Sequence, residues 1–322
     1  MRGHQRNGPT ARVRVRIPAK INLFLAVRGR RDDGFHEIVT VFQTVALHDE
    51  VEAALEGESV FHPAARRLMS LEFEHDGGDL VPDDQANLAV RAACALARTI
   101  GVEHIDEADP ASGPTTRLRL TKRIPVAAGM AGGSADAAAT LVALNRLWDC
   151  DLDRDEIRAI AERLGADVPF CVVGGTALAT GTGTATAQVL CHGTFHWVVG
   201  VHGAPLATAD VYRAWDEVAV PSQVEPDAVL QALRTRDAEA LGAALHNELE
   251  PAAFHLRPAL RDARDALLEA GALGAVVSGS GPTVVGLAAD AVSAATIAER
   301  VAAWFDRVHV VTSPAGGPEA LA

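Results

Sequence analysis

Lysine is nearly absent from this chain of 322 residues: of its 29 basic residues only Lys20 and Lys122 are lysines, and the rest are arginine. An ammonium is a compact point charge and a guanidinium a planar fork. The two lysines therefore mark places where a fork does not fit, unless they merely escaped an arginine-biased composition. Tyrosine is scarcer still, with Tyr212 alone. The four cysteines, Cys94, Cys150, Cys171 and Cys191, are scattered without a CxxC or Cys/His ligand spacing. That excludes a disulfide framework and a structural zinc site, and leaves small buried hydrophobes of a cytosolic chain. No apolar run approaches the length of a membrane span, and the amino terminus lacks the apolar core of a signal peptide, so the expected compartment is the cytoplasm with no membrane partner. With a net charge of −13 the basic face that nucleic acid requires is missing too. A small polyanion is not excluded, because a few local N–H groups and cations suffice to hold one. The order Gly-Lys-Ser/Thr of a Walker loop does not occur, nor does a protein-kinase catalytic loop.

What is present is a soluble composition, 48% hydrophobic and 22% charged, at a length that suggests two domains. The stretch Arg123-Ile-Pro-Val-Ala-Ala-Gly-Met-Ala-Gly-Gly-Ser-Ala-Asp-Ala organises it. A strand end passes through Gly129, Gly132 and Gly133 into an Ala-rich run that predicts a helix from Ala135 to Trp148. Glycines there let the backbone take positive φ and approach a ligand closely. The first helical turn then offers unpaired N–H groups at the positive end of a dipole. Together they form an anion cradle to which Ser134 adds a hydroxyl. Taken alone, the stretch reads equally as a plain glycine turn with Ser134 as N-cap.

Along the rest of the chain, alternation predicts strands at Val13–Ile17, Pro18–Val27 and Ile38–Leu47. Lys20 and Asn22 share one face by the two-residue period, aimed either at solvent or into a site. Residues 57–84 read as irregular, and Ala86–Thr99 as an amphipathic helix opened by Asn87. The acidic stretch 103–116 reads as a solvated surface insert. Asp153 and Glu156 fit a capping box for a helix ending near Leu164. Asp167 follows, between Gly165 and Pro169, where a turn role is the default. Val172–Leu190 reads as a hairpin. A second domain begins near His196, with a β–α–β–β–α–β order that suits a ferredoxin-like layer. The expected division is 12–195 and 196–312, with flexible tails at 1–11 and 313–322.

Five stretches in this order carry a specific resemblance: Pro18-Ala-Lys-Ile-Asn-Leu-Phe-Leu, Asp33-Gly-Phe-His, Pro125 to Ala138, Gly165-Ala-Asp-Val-Pro-Phe and Ser278-Gly-Ser-Gly-Pro. On them the chain resembles the GHMP kinase superfamily from about residue 12 to 312. Within it, Lys20-x-Asn22, Gly34-Phe-His36 and His246-Asn247 resemble the branch whose acceptor is a cytidyl diphosphate sugar alcohol of isoprenoid precursor synthesis. The fold implied is a two-domain α/β (α+β) GHMP kinase fold, with a ribosomal-protein-like N-terminal domain, a ferredoxin-like C-terminal domain and the site in the cleft between them.

The resemblance also implies roles. Pro125, Val126, Ala127, Ala128, Gly129, Met130, Ala131, Gly132, Gly133, Ser134 and Ala135 would wrap the ATP phosphates, with Asn87 and Lys122 near the nucleotide. Asp167 would be the general base, kept ionised by Lys20. Phe35 and Tyr212 would sandwich the cytosine, while Asn22, His36 and Thr208 would hydrogen-bond the substrate. Mg²⁺ would come with ATP, held mainly through the phosphates, with no dedicated protein ligands. The expected state is a monomer or weak homodimer. The chain departs from the usual pattern at Ser134-Ala135, where paired serines are common, at Met130-Ala131, where Leu-Gly is, and at Phe35, where Tyr is. Two other functions stay open: a homoserine or mevalonate-pathway kinase, and a non-catalytic nucleotide or sugar sensor. The aromatic and histidine group argues against the first, and the retained Lys20 and Asp167 against the second.

Overall fold

The computed structural model describes residues 11–56, 68–77, 81–82, 84, 86–102, 104–106, 115–218 and 222–321. Its frame is two long antiparallel strands, β1 (Arg12–Arg30) and β2 (His36–Glu56). The two short strands expected at 13–17 and 18–27 are one. Register shifts at Pro18/Ala19, Asn22/Phe24 and Val27/Gly29 bend it without ending it. Arg12 and Arg14 face out while Val15 and Ile17 face in, and from Ile17 to Val27 every residue is buried. Such a strand is covered on both faces.

In chain order there follow β3 (Leu68–His75), α1 (Leu88–Thr99), β4 (His104–Asp106) and β5 (Thr115–Thr121). Next come α2 (Gly132–Leu147), α3 (Arg154–Ala161), α4 (Val168–Val173) and the hairpin β6 (Thr176–Gly181) with β7 (Ala185–Gln188). β3 corrects the irregular reading of 57–84. Leu71 and Phe73 alternate with Glu72 and Glu74, and the strand pairs in parallel with β5, where Arg117 holds Glu72 at 2.7 Å. Residues 1–10 of the expected 1–11 tail and most of the 103–116 insert lie outside the described residues.

Asn87 caps α1 through a 2.9 Å bond from Ala89 N–H, and Asp153 and Glu156 close the capping box on α3. α2 starts three residues before the expected Ala135, and its N-cap is Ala131 in the left-handed region (φ 55°), not Ser134. Its alanines let the helix lie close on β1 and β2, so that nearly its whole circumference is buried.

The second half contains β8 (Phe195–Val201), α5 (Thr208–Val218), α6 (Asp227–Thr235), α7 (Ala238–Ala244), β9 (His246–Asn247), α8 (Glu250–Leu256) and α9 (Ala259–Glu269). It ends with β10 (Gly274–Val277), β11 (Thr283–Ala288), α10 (Ala291–Val301), β12 (Arg307–Ser313) and β13 (Glu319–Leu321). Strands β10-β11-β8-β12 form an all-antiparallel sheet backed by α9 and α10, the expected ferredoxin-like order. The first sheet runs β13-β1-β2-β5-β3-β4, with β6 on β2 and the short β9 in parallel on β1. Sequence patterning missed α8 and β9, which are too short to show a period.

The carboxyl end is a correction. Residues 313–322 read as a loose tail, yet Ser313 belongs to β12, Ala315 N–H donates to the Thr44 carbonyl at 3.0 Å, and β13 pairs with Arg14–Arg16 of β1. The segment crosses Gly174 so closely that a Cβ on Gly317 would lie 2.5 Å from the Val173 carbonyl oxygen. Gly317→Val should therefore cost about 1–3 kcal/mol by overpacking, seen as a Tm several degrees lower in thermal unfolding. An unchanged Tm would mean that this segment does not pack there.

Candidate active site

Asp167 is the N-cap of α4, but its carboxylate makes no capping bond. Pro169 in the first helical turn removes one N–H that would otherwise compete for it. The side chain is left to face β1, where Lys20 Nζ lies 3.5 Å from Oδ2. Lys20 is 5% exposed. It donates to Asn22 Oδ1 at 2.8 Å, and Asn22 Nδ2 donates onward to Thr40 at 2.8 Å. The ammonium also stands 4.9 Å over the Phe42 ring. Asn22 thus faces the cavity but spends much of its amide on aiming Lys20.

The backbone of Lys20 reaches the glycine loop as well, its N–H donating to Met130 O at 3.2 Å. In that loop Ala127, Gly129 and Ala131 take positive φ. Gly129 is obligatory: a Cβ there would fall 2.2 Å from the Ser278 carbonyl oxygen. Ser278 Oγ donates to the Gly129 carbonyl at 3.0 Å, and Asn247 Nδ2 donates to both Val277 O and Gly279 O at 2.7 Å. The 278–281 turn of the second sheet is thereby clamped onto the loop. The amides of Gly132, Gly133 and Ser134 open α2, where no intrahelical acceptor exists for them.

Beneath the loop lies a buried triad. Lys122 Nζ donates to Asp49 Oδ2 at 2.5 Å and to Asp136 Oδ2 at 2.7 Å, while Asp49 Oδ1 accepts from the N–H groups of Arg123 and Ile124. Burial works against the Lys122 charge, but Asp136 and Asp49 outweigh it and its pKa is raised. Asp136 is raised well above the usual carboxylate range, by burial first, against the pull of Lys122. Two carboxylates share one ammonium, and Asp136 Oδ1 has no hydrogen-bond partner among the described residues.

These elements enclose a cavity of about 860 Å³. Lys20, Asn22, Asp167, Thr208, Phe35, His36 and Tyr212 line it, together with the loop from Ala127 to Ser134 apart from Met130. Met130 and Ala135 are buried beneath. Pro125, Val126 and Lys122 face a separate cavity of about 340 Å³. Asn87, committed to capping α1 and to Pro82 O at 2.9 Å, lines neither. Lys122 and Asn87, expected near the nucleotide, are both tied into the protein, Lys122 to Asp49 and Asp136 and Asn87 to Ala89 N–H and Pro82 O.

On the opposite wall, Thr208, Tyr212 and Asp216 recur every four residues on one face of α5. His36 Nε2 is 2.8 Å from Asp216 Oδ1 and its ring stacks on Tyr212 at 4.7 Å. Burial, then the Asp167 charge, raises the Tyr212 phenol. Phe35 is 65% exposed at the cavity mouth. One face of Tyr212 is thus taken by His36. Thr208 Oγ1 is 2.9 Å from Ser280 Oγ. The residues that sequence reading left out are Asp216 and Asn247. A carboxylate one turn after Tyr212 and an asparagine inside a flagged stretch were the available signals.

No group of three or more His, Cys, Asp or Glu side chains able to hold a metal ion occurs among the described residues. Asp167 and the Ser134 hydroxyl are oxygen donors on the same cavity, which suits a hard cation that keeps most of its ligands as phosphate and water. None of the described helices is long and apolar enough to cross a membrane.

The chain matches the GHMP kinases N terminal domain over residues 87–175 and the GHMP kinases C terminal domain over 229–307. It is 44% identical to 4-diphosphocytidyl-2-C-methyl-D-erythritol kinase of Mycobacterium tuberculosis over 96% of this chain and 93% of that one. The kinase of the same name from Salinispora tropica is 45% identical over 92% and 90%. A crystal structure of 4-(cytidine 5'-diphospho)-2C-methyl-D-erythritol kinase superposes with a TM-score of 0.74 at 34% identity, covering 94% of this chain and all of that one. Homoserine kinase from Cytophaga hutchinsonii shares the fold at 20% identity, with a TM-score of 0.71 over 99% and 100% of the two chains.

The triad yields a contrast that urea unfolding can check. Lys122→Met strands two buried carboxylates and should cost about 3–5 kcal/mol. Asp136→Asn leaves the Lys122–Asp49 pair intact and should cost clearly less. The opposite ranking would overturn Lys122 as the charge that holds both carboxylates.

Proposed function

The chain belongs to the 4-diphosphocytidyl-2-C-methyl-D-erythritol kinases of the GHMP kinase family, and on that footing we propose how its residues divide the reaction. The enzyme transfers the γ-phosphoryl group of ATP to the C2 hydroxyl of 4-diphosphocytidyl-2-C-methyl-D-erythritol, a step of non-mevalonate isoprenoid precursor synthesis. The single observation that carries the division of roles is the meeting of Lys20 and Asp167 at 3.5 Å on the wall of the cavity that the glycine loop borders.

The first-turn amides of α2 and the loop backbone receive the β- and γ-phosphates of ATP. Asp167 accepts the proton of the C2 hydroxyl as its oxygen bonds to the γ-phosphorus. The bond from that phosphorus to the β–γ bridging oxygen breaks, and ADP leaves. A weak base suffices because phosphoryl transfer rests mainly on alignment and electrostatics. Lys20 faces both the base and the place where charge gathers on the transferred group, and Asn22 and Thr40 keep it aimed. Ser134 is the loop hydroxyl that would reach Mg²⁺, which would offset the charge of the ATP phosphates.

The cytosine enters between Phe35 and the His36–Tyr212 stack. His36, oriented by Asp216, hydrogen-bonds the ring, and Thr208 and Asn22 reach the polar groups of the acceptor. Stacking of this kind contributes roughly 1–3 kcal/mol per base. Asn87, at the cap of α1, and Lys122, beneath the loop, stand near the nucleotide. The enzyme works in the cytoplasm as a monomer or weak homodimer and takes no nucleic acid.

Asp167→Asn should lower kcat by several decades while ATP binding, measured by calorimetry, stays within a few-fold. Turnover near the wild-type rate would remove Asp167 as the base. His36→Ala should raise KM for the cytidyl substrate by about tenfold or more, in line with losing a stacked, hydrogen-bonded group, with KM for ATP unchanged. Equal effects on both substrates would place His36 elsewhere in the reaction.

A further inference from the structure

A cavity of about 470 Å³ lies between α1 and the turn after α3. Arg91, Cys94, Ala95, Arg98 and Thr99 form one wall, with Arg163 and Leu164 opposite. The α1 residues recur at spacings of three and four, so they share one helix face. No ion pair among the described residues involves Arg91, Arg98 or Arg163, although the chain carries 42 acidic residues and pairs arginines such as Arg117 and Arg213 with them. Three like charges around one concavity repel each other until an anion enters. Between them the surface is apolar: Leu164 is buried, Ala95 half-buried, and burial raises the half-buried Cys94 thiol so that it stays neutral.

Guanidinium forks match phosphate oxygens in pairs. We propose that this cavity is an effector site for a small anion that carries a diphosphate group and a short apolar tail. The walls give it a route to the active site. Leu88, the first residue of α1, lines the catalytic cavity one turn before Arg91. On the other side, Leu164 precedes Asp167 by three residues. An occupant that draws Arg91 and Arg98 toward Arg163 pulls on both the helix under the nucleotide and the segment that carries the base. The cavity shares no lining residue with the catalytic one.

The test uses the full chain with its catalytic cavity saturated by a non-hydrolysable ATP analogue. Inorganic pyrophosphate and butyl diphosphate are titrated in by calorimetry, against wild type and the triple variant Arg91→Gln, Arg98→Gln, Arg163→Gln. Unchanged Tm and basal turnover show that the variant is folded. Wild type should bind both probes, butyl diphosphate more tightly, and the variant should bind each at least tenfold more weakly. Saturating butyl diphosphate should change kcat or KM for ATP at least twofold in wild type and leave the variant unaffected. No binding to wild type, or equal binding to both proteins, would overturn the site. Binding without any change in turnover would overturn the effector role, and a preference for pyrophosphate would overturn the apolar part of the ligand.

Discussion

Everything in the catalytic cavity turns on where one ammonium is held. Lys20 is buried in a strand covered on both faces, and three contacts converge on it. Its backbone N–H holds the Met130 carbonyl of the glycine loop, its side chain bonds Asn22, and its charge faces Asp167. One residue therefore joins the phosphate loop, the base and the first sheet. A buried cation is tolerated only with such company, since an isolated charge out of water is costly. The bulge between Asn22 and Phe24 follows directly, where β1 changes register after presenting Lys20 and Asn22 to the cavity.

The loop itself is held from two further sides. From below, Asp49 accepts the Arg123 and Ile124 amides while its other oxygen meets Lys122, which also grips Asp136 at the start of α2. From the second sheet, Ser278 and the Asn247-braced turn close on Gly129. Left-handed backbone at Ala127 and Ala131 costs free energy and persists only where surroundings over-determine it. Here they do. The result is a rigid row of first-turn amides, which is what a phosphate chain needs to be placed in line with an acceptor.

The two lysines show what scarcity could and could not reveal. Their rarity singled out Lys20 and Lys122 together, and both proved to be buried ammonium groups in contact with carboxylates. Scarcity did not distinguish a charge facing the substrate from one bracing the loop, because each lysine sits beside a stretch that reads as ligand-binding. Asn87 is similar: its cap role was legible from its position before α1, whereas its distance from the cavity was not. The strand at Leu68–His75 was legible in its alternation but hidden among turn residues. The order β13 on β1 was not legible at all, since a three-residue strand carries no period and its partner lies some 300 residues away in the chain.

The local chemistry was written in the amino-acid order: which residues are helical, where the glycines permit close approach, and which few side chains can donate, accept or hold charge. These follow from steric and hydrogen-bonding preferences that act over a handful of residues. The tertiary structure alone decided which of those groups meet. It set Lys20 against Asp167 and Lys122 against Asp49, stacked His36 on Tyr212, and drew the carboxyl end across Gly174. Such pairings depend on the register of long strands and on packing between layers, and no short-range preference encodes them.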